Sequence, residues 1–220
     1  MNDRIVDERT ARLRIAAHCA VATLLLAGAA WTVRAVWEIR LAMAGEPASG
    51  PPDQGEGQHR PLTSLEDSYH FVTTVGGFAV LLCAVMFLSW LLRVRDNARA
   101  LSGQPPRYTG LWVYIGWWLP IANLWVPRGI VADAYRTSTG GTRVPPALNV
   151  WWGLWLLGLP SGVGVVYADA KDKIIERAYT EVWPLLVSDA AMVGAAVAAV
   201  FVVRAVTAAA SSAQAGVTPG

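Results

Sequence analysis

The sequence predicts an all-α fold, a polytopic helical membrane bundle of four transmembrane helices plus one Trp/Pro-broken helix that is re-entrant or interfacial. Three observations carry this. Of the 220 residues, 54% are hydrophobic and only 15% charged, too apolar for a domain with a polar exterior but suited to one that faces lipid. Apolar runs long enough to cross roughly 30 Å of hydrocarbon recur along the chain, edged by Arg and Trp. Between two of them lies Gly116-Trp117-Trp118-Leu119-Pro120-Ile121-Ala122-Asn123-Leu124-Trp125-Val126-Pro127, equally apolar, whose two prolines forbid one undisturbed helix.

The first run opens at Ile15, behind a short tail (1–14) with four arginines, and reaches Trp37. Its basic start and the Ala27-Gly28-Ala29 triplet resemble a signal peptide, but its length and the placement of Trp31 and Trp37 favour an uncleaved span over about 15–37. Residues 40–67 are rich in Pro and Gly and nearly free of large apolar side chains between Met43 and Leu62, which predicts a flexible external loop with His59 as an ordinary polar member. The second span covers 71–92, with Gly76, Gly77, Ala79 and Ala84 for close helix approach. Arg93, Arg95, Arg99 and Arg107 follow it, so this end is expected in the cytoplasm, together with the N-terminal arginines.

The broken element covers 111–127. Trp112, Trp117, Trp118 and Trp125 suit an interface, where indole N–H groups find partners. Pro120 deprives the Gly116 carbonyl of its helical donor, and a buried Asn123 is expected to bond the freed backbone groups or a neighbouring helix. If the element returns to the cytoplasm, twelve of the 18 basic residues lie inside, and a full crossing gives eleven. The prolines and tryptophans therefore decide for a broken, partly re-entrant or interfacial helix, followed by a short amphipathic segment.

A third full span over about 147–167 opens with Trp151-Trp152 and carries the Gly158/Gly162 spacing of close helix crossings, with Pro160 as a kink. A mixed-charge connector with a turn or two of helix leads to the last span, 182–203, which has a small-residue stripe at Ala191, Ala195 and Ala199. The tail 208–220 is expected to be disordered. The membrane domain as a whole is 15–207, with both termini cytoplasmic, in a plasma membrane. Arginine in place of lysine, with abundant Ala and Val, matches chains from GC-rich bacteria.

Arg93-x3-Asn97, the W-x-P-x-x-N-L-x-x-P core over Trp118–Pro127, and Trp151-Trp152 opening a span together resemble the bacterial membrane family catalogued as domain of unknown function 4328. The likeness covers roughly 71–203. Residues that carry over are Trp90, Arg93, Asn97, Trp118, Pro120, Asn123, Pro127, Trp151 and Trp152. The resemblance implies an integral membrane location and a shared architecture, with no chemistry to transfer.

No catalytic constellation is found. Ser161, Ser188 and the Thr73-Thr74 pair lack a His–carboxylate set, no phosphate-binding or dinucleotide motif occurs, and His18 has no second ligand at its depth, so neither an enzyme, a metal nor a cofactor is expected. Cys19 and Cys83 read as packing residues. A net charge of +2 gives no argument for nucleic acid. Arg34 and Asp189, the two charges that intrude into spans, are expected to pair in the outer half of the bilayer. The favoured function is a non-catalytic interaction or scaffold module, touching lipid and another membrane protein or itself through small-residue helix faces. The alternative is a small transporter or channel subunit with a polar pathway at the broken helix.

Overall fold

The computed structural model describes residues 2–56, 58–103, 108, 110–119, 121–167 and 171–215. Every regular element among them is a helix, apart from an isolated antiparallel bridge between Asp53 and His59. Helix α1 (Asn2–Ala44) has no proline or mid-helix break, and Leu13, Ala16, Ala17, Ala20, Leu24 and Ala27 form its buried stripe at helical spacing. Its 43 residues rise about 65 Å at 1.5 Å each, so it exceeds the hydrocarbon thickness and projects beyond it. Helix α2 (Ser64–Ser102) starts at a capping box between Thr63 and Glu66 and stops at Gly103, whose φ of 63° lies in the left-handed region that favours glycine. Helix α7 (Val182–Ala215) tolerates Pro184 because it falls in the first turn, where no intrahelical donor is lost.

Helix α1 packs between α2 and α7, and α7 also packs on α5 (Pro146–Tyr167). The α1–α7 register is antiparallel along its whole length: Thr10 donates to Gln214 at 2.9 Å, a Cβ on Gly28 would meet Ala196 at 3.4 Å, and Arg34 meets Asp189. The Thr10–Gln214 bond also places the start of α1 and the end of α7 at one end of the bundle, called the termini end below. The loop 45–63 sits at the other, the loop end. Ala191, Ala195 and Ala199 are buried within the chain on α7, and Ser188 Oγ donates to the Gly158 carbonyl at 2.7 Å.

Helix α3 (Gly110–Trp118), a 3₁₀ turn (Ala122–Leu124) and helix α4 (Val126–Thr139) form the broken element, with α4 set against α2 and α7. Helix α6 (Lys171–Thr180) lies across the loop end. Leu41, Tyr69, Ile175 and Ala178 form a second small core there, closed by Trp37, Leu62, Leu65, Ile174 and Tyr179. Three helical segments, Glu8–Ala44, Ser64–Ala100 and Val182–Gln214, are long and apolar enough to cross a membrane.

Two boundaries differ from the sequence expectation. The tail expected to be disordered from 208 is helical to Ala215, because Ala210 is fully buried and Gln214 bonds to α1, contacts that repay ordering. The loop expected over 40–67 is shorter at both ends and is internally bonded: Gln54 N donates to Gln58 O at 2.9 Å, and Arg60 N donates to Pro52 O at 3.0 Å.

Candidate functional site

Within the loop-end half of the bundle, two helices bring charged groups into an apolar interior and a third brings a phenol. Arg34 of α1 donates through Nε to Asp189 Oδ2 on α7 at 3.1 Å, and its Nη2 donates to Asp189 Oδ1. The same Nε lies 3.1 Å from Glu38 Oε1, one helical turn further along α1. Tyr69 of α2 donates its hydroxyl to Glu38 Oε1 at 3.0 Å, and the guanidinium lies over the Trp31 ring at 4.3 Å. The side chains of Glu38 and Asp189 are fully enclosed and that of Arg34 is 6% exposed, so each ion's lost hydration must be made up by these contacts. The fork of a guanidinium fits the two Asp189 oxygens, which a lysine would not do.

A second set of charges staples the loop to the helices outside this interior. Arg60 donates Nη2 and Nη1 to the two Glu66 oxygens at 2.7 and 2.9 Å, and Glu66 also accepts from Thr63 N at 2.8 Å and from Tyr179 on α6 at 3.2 Å. Burial, with the Glu66 carboxylate beside it, pushes the Tyr179 phenol up to about 12. His59 Nδ1 lies 2.7 Å from Asp172 Oδ2, joining the loop to α6. His59 is therefore a tie across the cap, not the plain loop residue the sequence suggested.

Towards the termini end the packing is aromatic. Trp117 from α3 stands edge-on to Phe87 of α2 at 6.0 Å and to Trp152 and Trp155 of α5 at 6.4 and 5.6 Å, while Trp152 and Trp155 stack at 5.4 Å. Trp151 completes the group at 5.6 Å from Phe87. Trp90, fully buried, donates its indole N–H to Thr207 on α7 at 3.0 Å. Trp152 donates to the Leu124 carbonyl at 3.0 Å, and Arg128 caps the pairing of α4 with α5 through Asn149 at 3.1 Å.

Of the residues singled out from sequence, Trp90, Trp151 and Trp152 thus meet around the break, and Arg34 and Asp189 meet at the far end. Pro127 is buried in the first turn of α4, Asn97 is buried on α2, and Arg93 is exposed with a bond to the Ser89 carbonyl at 3.0 Å. Pro120 and the side chain of Trp118 lie outside the described residues. Asn123 corrects an expectation. It is buried, but its Oδ1 has no hydrogen-bond partner. The backbone repairs the break instead: Asn123 N donates to Leu119 O at 2.8 Å, Leu124 N to Ile121 O and Trp125 N to Ala122 O, and the Trp152 indole takes the Leu124 carbonyl.

Glu38 escaped the sequence reading because it follows Trp37, taken as the span's edge, although its place four residues after Arg34 is a pairing signal. His18 is exposed and lines a groove of about 490 Å³ with Arg14 and Arg204 at the termini end.

No curated protein and no solved structure matches the chain. The match that does exist is to a family, over residues 62–208, and those residues take in the capping box of α2, the broken element, the aromatic group, the cap helix α6 and Asp189. Arg34 and Glu38 stand on the helix before it. The chain belongs to the family described as domain of unknown function (DUF4328).

Proposed function

We propose that this is a multi-pass protein of a bacterial cell membrane that acts as a non-catalytic interaction module, presenting the loop and α6 as a fixed surface outside the cell. In this reading α1, α2, α5 and α7 all cross. The element from α3 to α4 enters from the cytoplasmic side to the level of Phe87 and Trp155 and returns, leaving both termini inside. The arginines that flank the termini end support this orientation. The single observation that carries the interaction reading is the small core of Leu41, Tyr69, Ile175 and Ala178, which with the Arg60–Glu66 and His59–Asp172 ties holds the loop in one shape. A tether between two spans needs none of that order.

A small transporter or channel subunit is favoured by one feature, the buried and unpartnered Asn123 Oδ1. Against it, the charges at the loop end and the break are separated by the buried layer of Leu24, Ala27, Ala195 and Ala199.

Two experiments test the reading. In a variant lacking Cys19 and Cys83, single cysteines at Ser49, Thr137 and Ser212 are treated with an impermeant thiol reagent on intact cells. Labelling of Ser49 alone is expected; labelling of Thr137 from outside would make the broken element a full crossing. Photo-reactive residues at exposed Ser49, Gln58 and Glu176 in native membranes should each give a discrete protein adduct, absent at lipid-facing Phe78. Adducts at none of the three cap positions would overturn the interaction role.

A further inference from the structure

One guanidinium faces two carboxyl groups in the loop-end interior, and none of the three is more than 6% exposed at its side chain. Among the described residues, other basic groups of this end lie elsewhere: Arg60 pairs with Glu66, Arg177 with Glu181, Arg40 lies over the Trp37 ring at 4.9 Å, and Lys173 is exposed. Among the described residues, the groups that face the cluster are Arg34 and Trp31 from α1, the Tyr69 hydroxyl from α2 and Asp189 from α7. Neighbouring Ser188 is turned away to the Gly158 carbonyl. If both carboxyls were ionised, the interior would hold an unbalanced negative charge, which burial in an apolar medium strongly disfavours.

The hydrogen bonds say where the balance is restored. Both oxygens of Asp189 accept from Arg34, which marks it as the ionised member. Glu38 Oε1 accepts from Tyr69, but Glu38 Oε2 is buried and accepts from no donor. The two carboxyl groups are nevertheless neighbours, since Glu38 Oε1 and Asp189 Oδ2 each lie 3.1 Å from the same Arg34 Nε. Two carboxylates in that position repel, whereas one proton turns the contact into an O–H···O⁻ bond.

We propose that Glu38 and Asp189 share one proton at neutral pH, so that the loop end of the α1–α7 seam is a proton-binding site. The proton resides on Glu38 Oε2 and is donated towards Asp189. Arg34, Tyr69 and the pair then form a neutral group with every buried oxygen satisfied. This goes beyond the interaction role and does not depend on it.

Infrared spectroscopy of the full chain in lipid nanodiscs reads the proton directly, as the C=O stretch of a protonated carboxyl that shifts in heavy water. At neutral pH the wild type should show one such band. Glu38→Gln and Asp189→Asn should each abolish it, because one carboxylate then balances Arg34 and ionises. A wild type without the band overturns the proposal without any variant having to fold. A band that survives in either single variant overturns the sharing, since the proton then belongs to one group alone. Thermal stability gives a second reading: each single variant stays folded, while the double variant leaves Arg34 unbalanced and loses more in melting temperature than the two single losses combined. Strictly additive losses would also overturn it.

Discussion

At the loop end Arg34 meets Glu38 and Asp189 in a space closed to water, whereas towards the termini end Phe87, Trp90, Trp117, Trp151, Trp152 and Trp155 meet ring to ring. Both regions join helices far apart in the chain, by opposite means. Charges in an apolar interior are all-or-none: the cation removed leaves a carboxylate stranded, so the pair fixes the α1–α7 register more than it adds stability. Aromatic packing is graded, because a smaller ring loses area and one hydrogen bond while its neighbours partly relax. The two regions should therefore answer substitution differently.

The largest effect is expected at the charged end. Arg34→Gln removes the guanidinium that faces two enclosed carboxyl groups, and losses of about 3–5 kcal/mol are typical when one partner of a buried pair is deleted. Denaturant titration in mixed micelles measures it. A loss within error would mean that water reaches the site and the contrast fails at its strongest point.

Next comes Trp152→Phe, which keeps most of the aromatic contact but removes the donor to the Leu124 carbonyl at the break. A buried acceptor left without its donor costs about 1–3 kcal/mol. The same titration reads it, and protease nicking between α3 and α4 should rise in parallel.

Glycines on the two sides of the bundle give smaller and unequal effects. A Cβ on Gly116 would sit 2.8 Å from Val126 Cγ1, a stiff branched side chain at the break, while one on Gly158 would sit 2.7 Å from Met192 Cγ, in a flexible chain. Overpacking costs roughly 1–3 kcal/mol where neighbours cannot yield. Gly116→Ala should therefore lower the melting temperature more than Gly158→Ala, and the reverse order would mean that the break is the softer region.

How much of this was legible in the sequence follows from the range of each interaction. Hydropathy and Trp placement locate the helices, since each run is read locally. The prolines mark the break, and the similar depths of Arg34 and Asp189 suffice to pair them across 155 residues. The loop's order was less visible because composition averages over it. The Thr63-Ser64-Leu65-Glu66 pattern is a readable capping signal, yet nothing local tells that Arg60 and Tyr179 converge on Glu66, or that His59 finds Asp172. The small-residue stripe was located, but sequence does not say whether such a face meets a neighbour in the same chain or another molecule. Here it is buried within the same chain.

Asn123 is where the comparison is most finely tested, because there a polar group sits in the region held by packing. On the sequence reading its amide repairs the proline break, and Asn123→Leu costs about 1–3 kcal/mol by stranding a partner. The structure reverses the sign. Asn123 Oδ1 is already stranded, the 3₁₀ turn bonds its own backbone, and Trp152 satisfies the Leu124 carbonyl, so leucine of similar bulk removes an unmet acceptor and strands nothing. Its melting temperature should equal or exceed that of the wild type, in detergent and in lipid. Because the backbone bonds at 119–125 stay in place, protease nicking between α3 and α4 should not rise as it does for Trp152→Phe. A clear loss of stability would mean that the amide is bonded in the membrane, through water or a polar partner, and that the termini-end region, like the charged one, depends on a buried polar contact.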